Sequence, residues 1–259
     1  MSNRFIKSPT AWGCVSYLNA LPFRLNSSSD LQTTVITDVP KNLMNRFLND
    51  EFDIVLTSSA CQFVSGASYL PNLGIAAYKQ ILSVNLYAKK GFFSSDRILT
   101  VGVTNETASS VILLKILAHF HLKISIVTDE FQSQDYHSKF YDAVLLIGDT
   151  ALLKQTIPGY DTYDLAHEWY KFTQLPFVFA LFLVKDRMFL KELQQIPETA
   201  LRFAENNETL LLKKARQLYP QFSLSMLKAY YKLCIYRLGK AELKGLDRYR
   251  QLYEDLPKH

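Results

Sequence analysis

At 259 residues, 48% hydrophobic and 20% charged, the chain can bury one substantial core or two modest ones, and its ordinary globular composition excludes dominant disorder. The formal net charge of +5 comes from scattered lysines and arginines, enriched only late in the chain (Lys213-Lys214, Arg237, Lys240, Lys244, Arg248, Arg250); without a basic stripe and interleaved stacking aromatics this reads as a solvated helix face, with no nucleic-acid partner. Three distant cysteines, Cys14, Cys61 and Cys234, have no paired or Cys/His ligand spacing and exclude a disulfide framework or a zinc site.

Residues 1 to 11 mix Arg4, Lys7 and Pro9 with polar side chains and show no secretory pattern. Near them, Gly13-Cys14-Val15-Ser16-Tyr17-Leu18-Asn19-Ala20-Leu21-Pro22-Phe23 breaks from a buried-strand pattern into hydroxyls and an amide, then proline. Such groups, if buried, need partners; they form either a Ser or Asx turn that caps the next helix or part of a ligand site. Strand-like Thr34 to Ile36, helical Lys41 to Leu48 and strand-like Ile54 to Leu56 follow. Ser83 to Lys89 alternates as a strand, and Thr100 to Val103, Ser109 to His121, Ile124 to Val127 and Ala143 to Ile147 alternate strand and helix again. Phe177 to Val184 is a long apolar strand, far too short to span a bilayer, so no membrane partner is expected. From Met188 onward helical spacing dominates. The alternation predicts an α/β fold with parallel strands, and with nine glycines, no Gly-x-Gly-x-x-Gly and no Walker loop, nucleotide binding loses its support. The expected compartment is the cytoplasm.

Two hydroxyl clusters sit where strands give way to helices, Ser58-Ser59 after the strand that begins near Asp53, and Thr107-Ala108-Ser109-Ser110 before an apolar helix. Hydroxyls there either cap helices or, with the free N–H groups of the first turn, receive an anion such as a carboxylate. Gly148-Asp149-Thr150 ends the run Ala143 to Ile147, so Asp149 is either a helix cap or a carboxylate at a strand tip. The five histidines show no catalytic or ligand spacing, and Trp169 and Phe177 read as core or as ligand-packing aromatics.

The Ser16-Tyr17-Leu18-Asn19-x-x-Pro22 segment resembles the signature of MqnA-type chorismate dehydratases of the futalosine route to menaquinone. Similar patches recur in order: Asp38-Val39-Pro40, Asp53-Ile54-Val55-Leu56 into Ser58-Ser59, Leu82 to Leu86, Thr107 to Leu114, Gly148 to Leu152, Asp164-Leu165 to Glu168-Trp169, and Leu175-Pro176-Phe177-Val178-Phe179-Ala180. The resemblance spans nearly the whole chain. It implies a two-lobed periplasmic-binding-protein-like fold of type II with the ligand cleft between lobes, lobe 1 being 1–87 plus 180–259 and lobe 2 being 88–179. It also implies chorismate, a small dicarboxylate, as substrate, with no metal or redox cofactor required.

On that basis Asn19 is the expected catalytic residue, and Ser16, Ser58, Ser59, Ser83, Thr107, Ser109, Ser110 and Asp149 are expected to bind substrate. The matched patches supply no evident protein base, so a substrate carboxylate is expected to take the C3 proton, with Asp149 as the rival. The chain departs from the family at Ala166 and Gln174, where glycine is usual, and at His167, where an acidic residue is frequent. The alternatives are the sister 1,4-dihydroxy-6-naphthoate synthase, which these patches resemble less closely, and a non-catalytic solute-binding protein.

Overall fold

A computed structural model describes residues 11–25, 34–94, 97–104, 108–131, 141–185 and 187–257. In chain order the elements are β1 (Ala11–Val15), a 3-10 turn (Leu18–Ala20), α1 (Leu21–Arg24), β2 (Thr34–Asp38), α2 (Pro40–Leu48), β3 (Ile54–Ser58), α3 (Ser59–Ser65) and β4 (Ser68–Ala77). They continue with β5 (Val84–Lys89), β6 (Leu99–Thr104), α4 (Ser109–Ile116) running into a π-turn (Leu117–Leu122), β7 (Ile126–Phe131), β8 (Ala143–Ile147), α5 (Gly148–Leu153), β9 (Tyr160–Asp164) and α6 (Leu165–Thr173). The last are β10 (Phe177–Val184), α7 (Leu190–Asn206), α8 (Glu208–Leu218), α9 (Leu224–Leu233), β11 (Cys234–Arg237) and α10 (Lys240–Glu254). The chain divides into two compact units, one of Met1–Gly74 with Ala180–Tyr231, the other of Ile75–Phe179 with Lys232–His259. Among the described residues no helix is long and apolar enough to cross a membrane.

In the first unit the strands lie in the order β4-β10-β3-β1-β2. β1 is parallel to both β2 and β3, and β10 is antiparallel to β3. All five residues of β3 are buried, as a strand covered on both faces requires. Trp12 on β1 is wholly buried against Phe182 of β10, whose ring also meets Phe23 edge-on at 4.8 Å between centroids. Gly13 permits this packing, because a Cβ there would lie 2.7 Å from Val55 and about as close to Phe52 and Leu43. α2 opens with Pro40 at its first turn, where the missing N–H is no loss, and Asp38 accepts from Val39 N–H at 2.7 Å and Asn42 Nδ2 at 2.9 Å.

The second unit holds the sheet β7-β6-β8-β5-β9, with β6 parallel to β7 and β8, and β5 antiparallel to β8 and β9. One face buries Tyr87, Phe131, Tyr141, Val144, Leu146 and Ala151. Tyr141 lies over Gly102, where a Cβ would stand 2.6 Å from the ring, and its hydroxyl donates to Asp129 at 2.9 Å. The other core is aromatic: Trp169 of α6 meets Phe177 at 5.3 Å and Tyr249 of α10 at 6.2 Å. Trp169 is fully buried and donates from Nε1 to the Pro176 carbonyl at 3.1 Å, so of its two readings, core or ligand-packing, the core one holds.

Three strands stand apart from the sequence reading. β4 carries Pro71, Asn72 and Gly74, which signal turns rather than strand; β9 is Tyr-Asp-Thr-Tyr-Asp on a sheet edge; and β11 interrupts a helix-periodic stretch.

Candidate functional site

In the first unit Ser16, Tyr17 and Asn19 follow directly on β1, and Ser58-Ser59 close β3 and open α3. Val15 pairs with Asp38 and Cys14 with Leu56, so the parallel register brings Ser16, Asp38 and Ser58 to one carboxyl edge of the sheet. That edge is where open α/β sheets place ligands. The Leu18–Ala20 turn is fastened from three directions. Ser16 N–H donates to the Asp38 carbonyl at 3.1 Å, Arg24 Nη2 donates to the Ser16 and Tyr17 carbonyls at 2.9 Å each, and Tyr231 of α9 donates to the Leu18 carbonyl at 3.2 Å.

Asn19 Oδ1 is buried and meets no hydrogen-bond partner among the described residues. An amide oxygen left this way is costly unless something else donates to it. The capping alternative is not realised, since neither the turn after Tyr17 nor α3 after Ser58 has a side-chain cap bond. Ser58 and Ser59 are both buried, and the Ser58 and Thr57 hydroxyls lie against Cys61, whose thiol burial pushes up while they pull it down.

In the second unit β6 and β8 are parallel and β5 enters the sheet antiparallel, so the carboxyl ends of β6 and β8 share an edge with the start of β5. Ser83 lies at that edge, 1% exposed, and its carbonyl accepts from Gly148 N–H at 2.7 Å; Asp149 is the next residue, in the first turn of α5. Asp149 is not the N-cap residue of α5, a position held by Ile147. α4 starts after Ala108 without a side-chain cap bond. Ser109 is committed elsewhere: its hydroxyl donates to the Phe179 carbonyl at 3.2 Å, and its carbonyl accepts from Tyr249 at 2.9 Å. Ser110 is buried beside it. Thr107 lies outside the described residues, as do His137 and His259. The structure therefore collects Ser16 and Ser58-Ser59 at one sheet edge and Ser83 and Asp149 at another, each within its own unit.

Sequence reasoning passed over several residues at these edges. Thr104 ends β6, is 2% exposed, and its Oγ1 has no partner among the described residues. Asn85 is buried and donates to the Leu82 carbonyl at 2.9 Å. Asp164 accepts four backbone N–H bonds, two of them from Ile81 and Leu82. Thr104 at a strand end carried a weak signal and Asp164 entered only within a family-like patch; Tyr231 acts on backbone far away in the chain and carried none, and Arg24 reaches carbonyls just upstream without a motif to mark it. A groove of about 840 Å³ in the second unit, lined by Ile112, Lys115, His119, Val127, Tyr253 and neighbours, touches none of the candidate residues. Among the described residues no cluster of three or more His, Cys, Asp or Glu side chains forms a metal site.

A family profile described as menaquinone biosynthesis matches residues 11–255. A chorismate dehydratase of Thermus thermophilus is 30% identical over 168 residues, 57% of this chain, and the match spans only 59% of that protein's length. Among solved structures, protein AF1704 of Archaeoglobus fulgidus superposes with a TM-score of 0.74 at 15% identity, covering 95% of this chain and 96% of that one. The alkanesulfonate-binding protein SsuA of Xanthomonas axonopodis pv. citri, bound to MOPS, gives 0.63 at 14% identity, covering 96% and 94%. The periplasmic aliphatic sulphonate binding protein SsuA of Escherichia coli gives 0.61 at 11%, covering 96% and 88%.

These likenesses establish the α/β, two-lobed periplasmic-binding-protein-like fold of type II. The two SsuA neighbours are named for the sulphonates they bind, one of them holding MOPS. The expectation of a cytoplasmic protein is corrected: solved structures of this architecture include periplasmic and transport-system binding proteins, which point away from that compartment. The absence of a secretory pattern in residues 1 to 11 and apolar runs too short for a bilayer, on which that expectation rested, do not fix a compartment. With the profile running from β1 to the end of α10, and the motif patches recurring in order along it, the chain belongs to the menaquinone biosynthesis family.

Proposed function

We propose that this protein is a chorismate dehydratase, a carbon–oxygen lyase that converts chorismate to 3-[(1-carboxyvinyl)oxy]benzoate and water in menaquinone biosynthesis. The observation that carries the reading is the buried Oδ1 of Asn19, unpartnered among the described residues, on a turn held by Arg24 and Tyr231 at the carboxyl edge of three strands. A buried acceptor with no donor among the described residues suits a substrate hydroxyl, and chorismate carries one at C4. Asn19 is the catalytic residue: Oδ1 receives the C4 O–H and fixes its direction, and Nδ2 supplies a donor to the departing oxygen or to a carboxylate.

The reaction removes the C3 hydrogen as a proton and breaks the C4–O bond, the electron pair of the C–H bond becoming the new ring double bond. Hydroxide leaves with that proton as water. Aromatisation drives the step, so the protein has to orient substrate and help the oxygen depart. An amide is no base, and a carboxylate of the substrate takes the C3 proton. Ser16, Ser58 and Ser59 in the first unit bind substrate, as do Ser83, Ser110 and Asp149 in the second. The starts of α3 and α4 carry the positive end of a helix dipole, which favours a carboxylate.

The test is to incubate purified protein with chorismate and look, by chromatography and mass, for a product lighter by one water with a benzoate ultraviolet spectrum. Asn19→Ala should lower kcat by roughly 100-fold to 1,000-fold, as loss of one oriented catalytic hydrogen bond does. Full activity without Asn19 sinks its role, and chorismate bound but unchanged means a binding protein. An Asp149→Asn variant that binds normally and does not turn over would restore a protein base.

A further inference from the structure

Asp164 ends β9 and caps α6, and its two carboxylate oxygens are divided between two tasks. Oδ1 accepts from Ala166 N–H at 2.8 Å and His167 N–H at 3.2 Å, an ordinary N-cap. Oδ2 accepts from Ile81 N–H at 2.7 Å and Leu82 N–H at 2.8 Å, amides more than eighty residues earlier that the helix does not need. Burial pushes this carboxyl above its ordinary range while the four amides pull it down.

The segment it grips joins β4 to β5 and contains two left-handed residues that are not glycine, Lys79 at φ +72° and Leu82 at φ +66°. A leucine persists there only where its surroundings over-determine it. Leu82 is held on both sides: its N–H donates to Asp164, and its carbonyl accepts from Asn85 Nδ2 at 2.9 Å. The Lys79 carbonyl lies 3.2 Å from His167 Nδ1, on the helix that Asp164 caps. The next residue after Leu82 is Ser83, already tied through its carbonyl to Gly148 N–H. With Leu82 turned left-handed and the Ser83 carbonyl fixed, the direction of the Ser83 side chain follows.

We propose that Asp164 is the positioning residue for Ser83: by gripping the Ile81 and Leu82 amides it locks the left-handed turn that aims the Ser83 hydroxyl at a substrate carboxylate. This rests on the reading of Ser83 as a substrate-binding residue. The two tasks of Asp164 separate in Asp164→Ser, whose single oxygen still caps α6 but leaves Ile81 and Leu82 without their acceptor.

The variant should fold, exchange its Ile81 and Leu82 amide hydrogens at least about 10-fold faster than wild type, and raise the chorismate KM roughly 10-fold with kcat within about 3-fold. Ser83→Ala alone should raise KM to a similar extent, and the double variant should be no worse than either single one. KM effects that multiply in the double variant, or an unchanged KM in Asp164→Ser, overturn the proposal. Unchanged amide exchange overturns it too, and needs no substrate. If wild-type protein does not turn over chorismate, the proposed function falls, and faster exchange confined to Ile81 and Leu82 still supports the grip. Should Asp164→Ser not fold, Asp164→Asn removes one acceptor oxygen at constant shape and is held to the same outcomes.

Discussion

Replacing Gly245 with alanine sets local preference against tertiary contact. Gly245 lies inside α10, where alanine would add about 1 kcal/mol of helix stability. At this position, however, a Cβ would stand 2.0 Å from the Pro176 carbonyl oxygen. An ordinary C···O contact is about 3.3 Å, so the helix and the start of β10 would have to part by roughly 1.3 Å. Neither is free to move. One turn later Tyr249 is fully buried, donates to the Ser109 carbonyl and packs on Phe177 at 4.7 Å, while the same Pro176 carbonyl accepts the Trp169 indole. Overpacking of this kind costs about 1–3 kcal/mol, and a weakened indole bond about 1 more. Set against the helix gain, the net loss is about 1–3 kcal/mol. Urea unfolding followed by Trp169 fluorescence in a Trp12→Phe background should show the midpoint fall by about 1 M. A midpoint that is unchanged or higher would refute the close approach of α10 to Pro176.

Gln174→Gly should act in the opposite direction. Gln174 closes α6 in the left-handed region at φ +59°, a position where glycine avoids about 1–2 kcal/mol of steric cost; after the loss of its side-chain bond to the Tyr170 carbonyl and the added chain entropy, a gain of about 0.5 kcal/mol should appear in the unfolding midpoint. All three cysteines are buried and burial pushes the Cys14 thiol up to about 12, the nearby Arg24 charge offsetting only part of it. A thiol reagent at pH 8 should therefore label native protein far more slowly than unfolded protein, and rapid labelling of Cys14 in the native state would contradict its burial. Asp142 is held below its usual value by its bond to Arg97, with the Thr100 N–H adding to this. A carboxyl depressed in the folded state contributes stability above its ordinary value that is lost as pH falls through the folded one, so Asp142→Asn should flatten the acid limb of stability below about pH 4.

Much of the architecture was legible because burial imposes a local pattern. Ala143 to Ile147 and Phe177 to Val184 read as strands with their observed bounds, since strands covered on both faces are apolar throughout. The Ser16 to Asn19 break was also legible, as a place where polar groups follow a buried strand. What its polar groups do was not: whether they cap a turn or stay available depends on where Asp38, Arg24 and Tyr231 arrive, and only the folded chain shows Asn19 Oδ1 left without a protein donor among the described residues.

By itself the sequence determined the α/β alternation, the hydroxyl clusters at strand ends and the family likeness, all properties of neighbouring residues or of motifs in order. Tertiary structure alone decided that polar β9 is a strand, that Asp164 reaches back to Ile81 and Leu82, and that Gly245 must lack a side chain because Pro176 lies against it. The reason is physical: a hydrogen bond or a close approach between residues some seventy or eighty positions apart leaves no periodicity in either segment, and exists only once the sheet has fixed both partners in space.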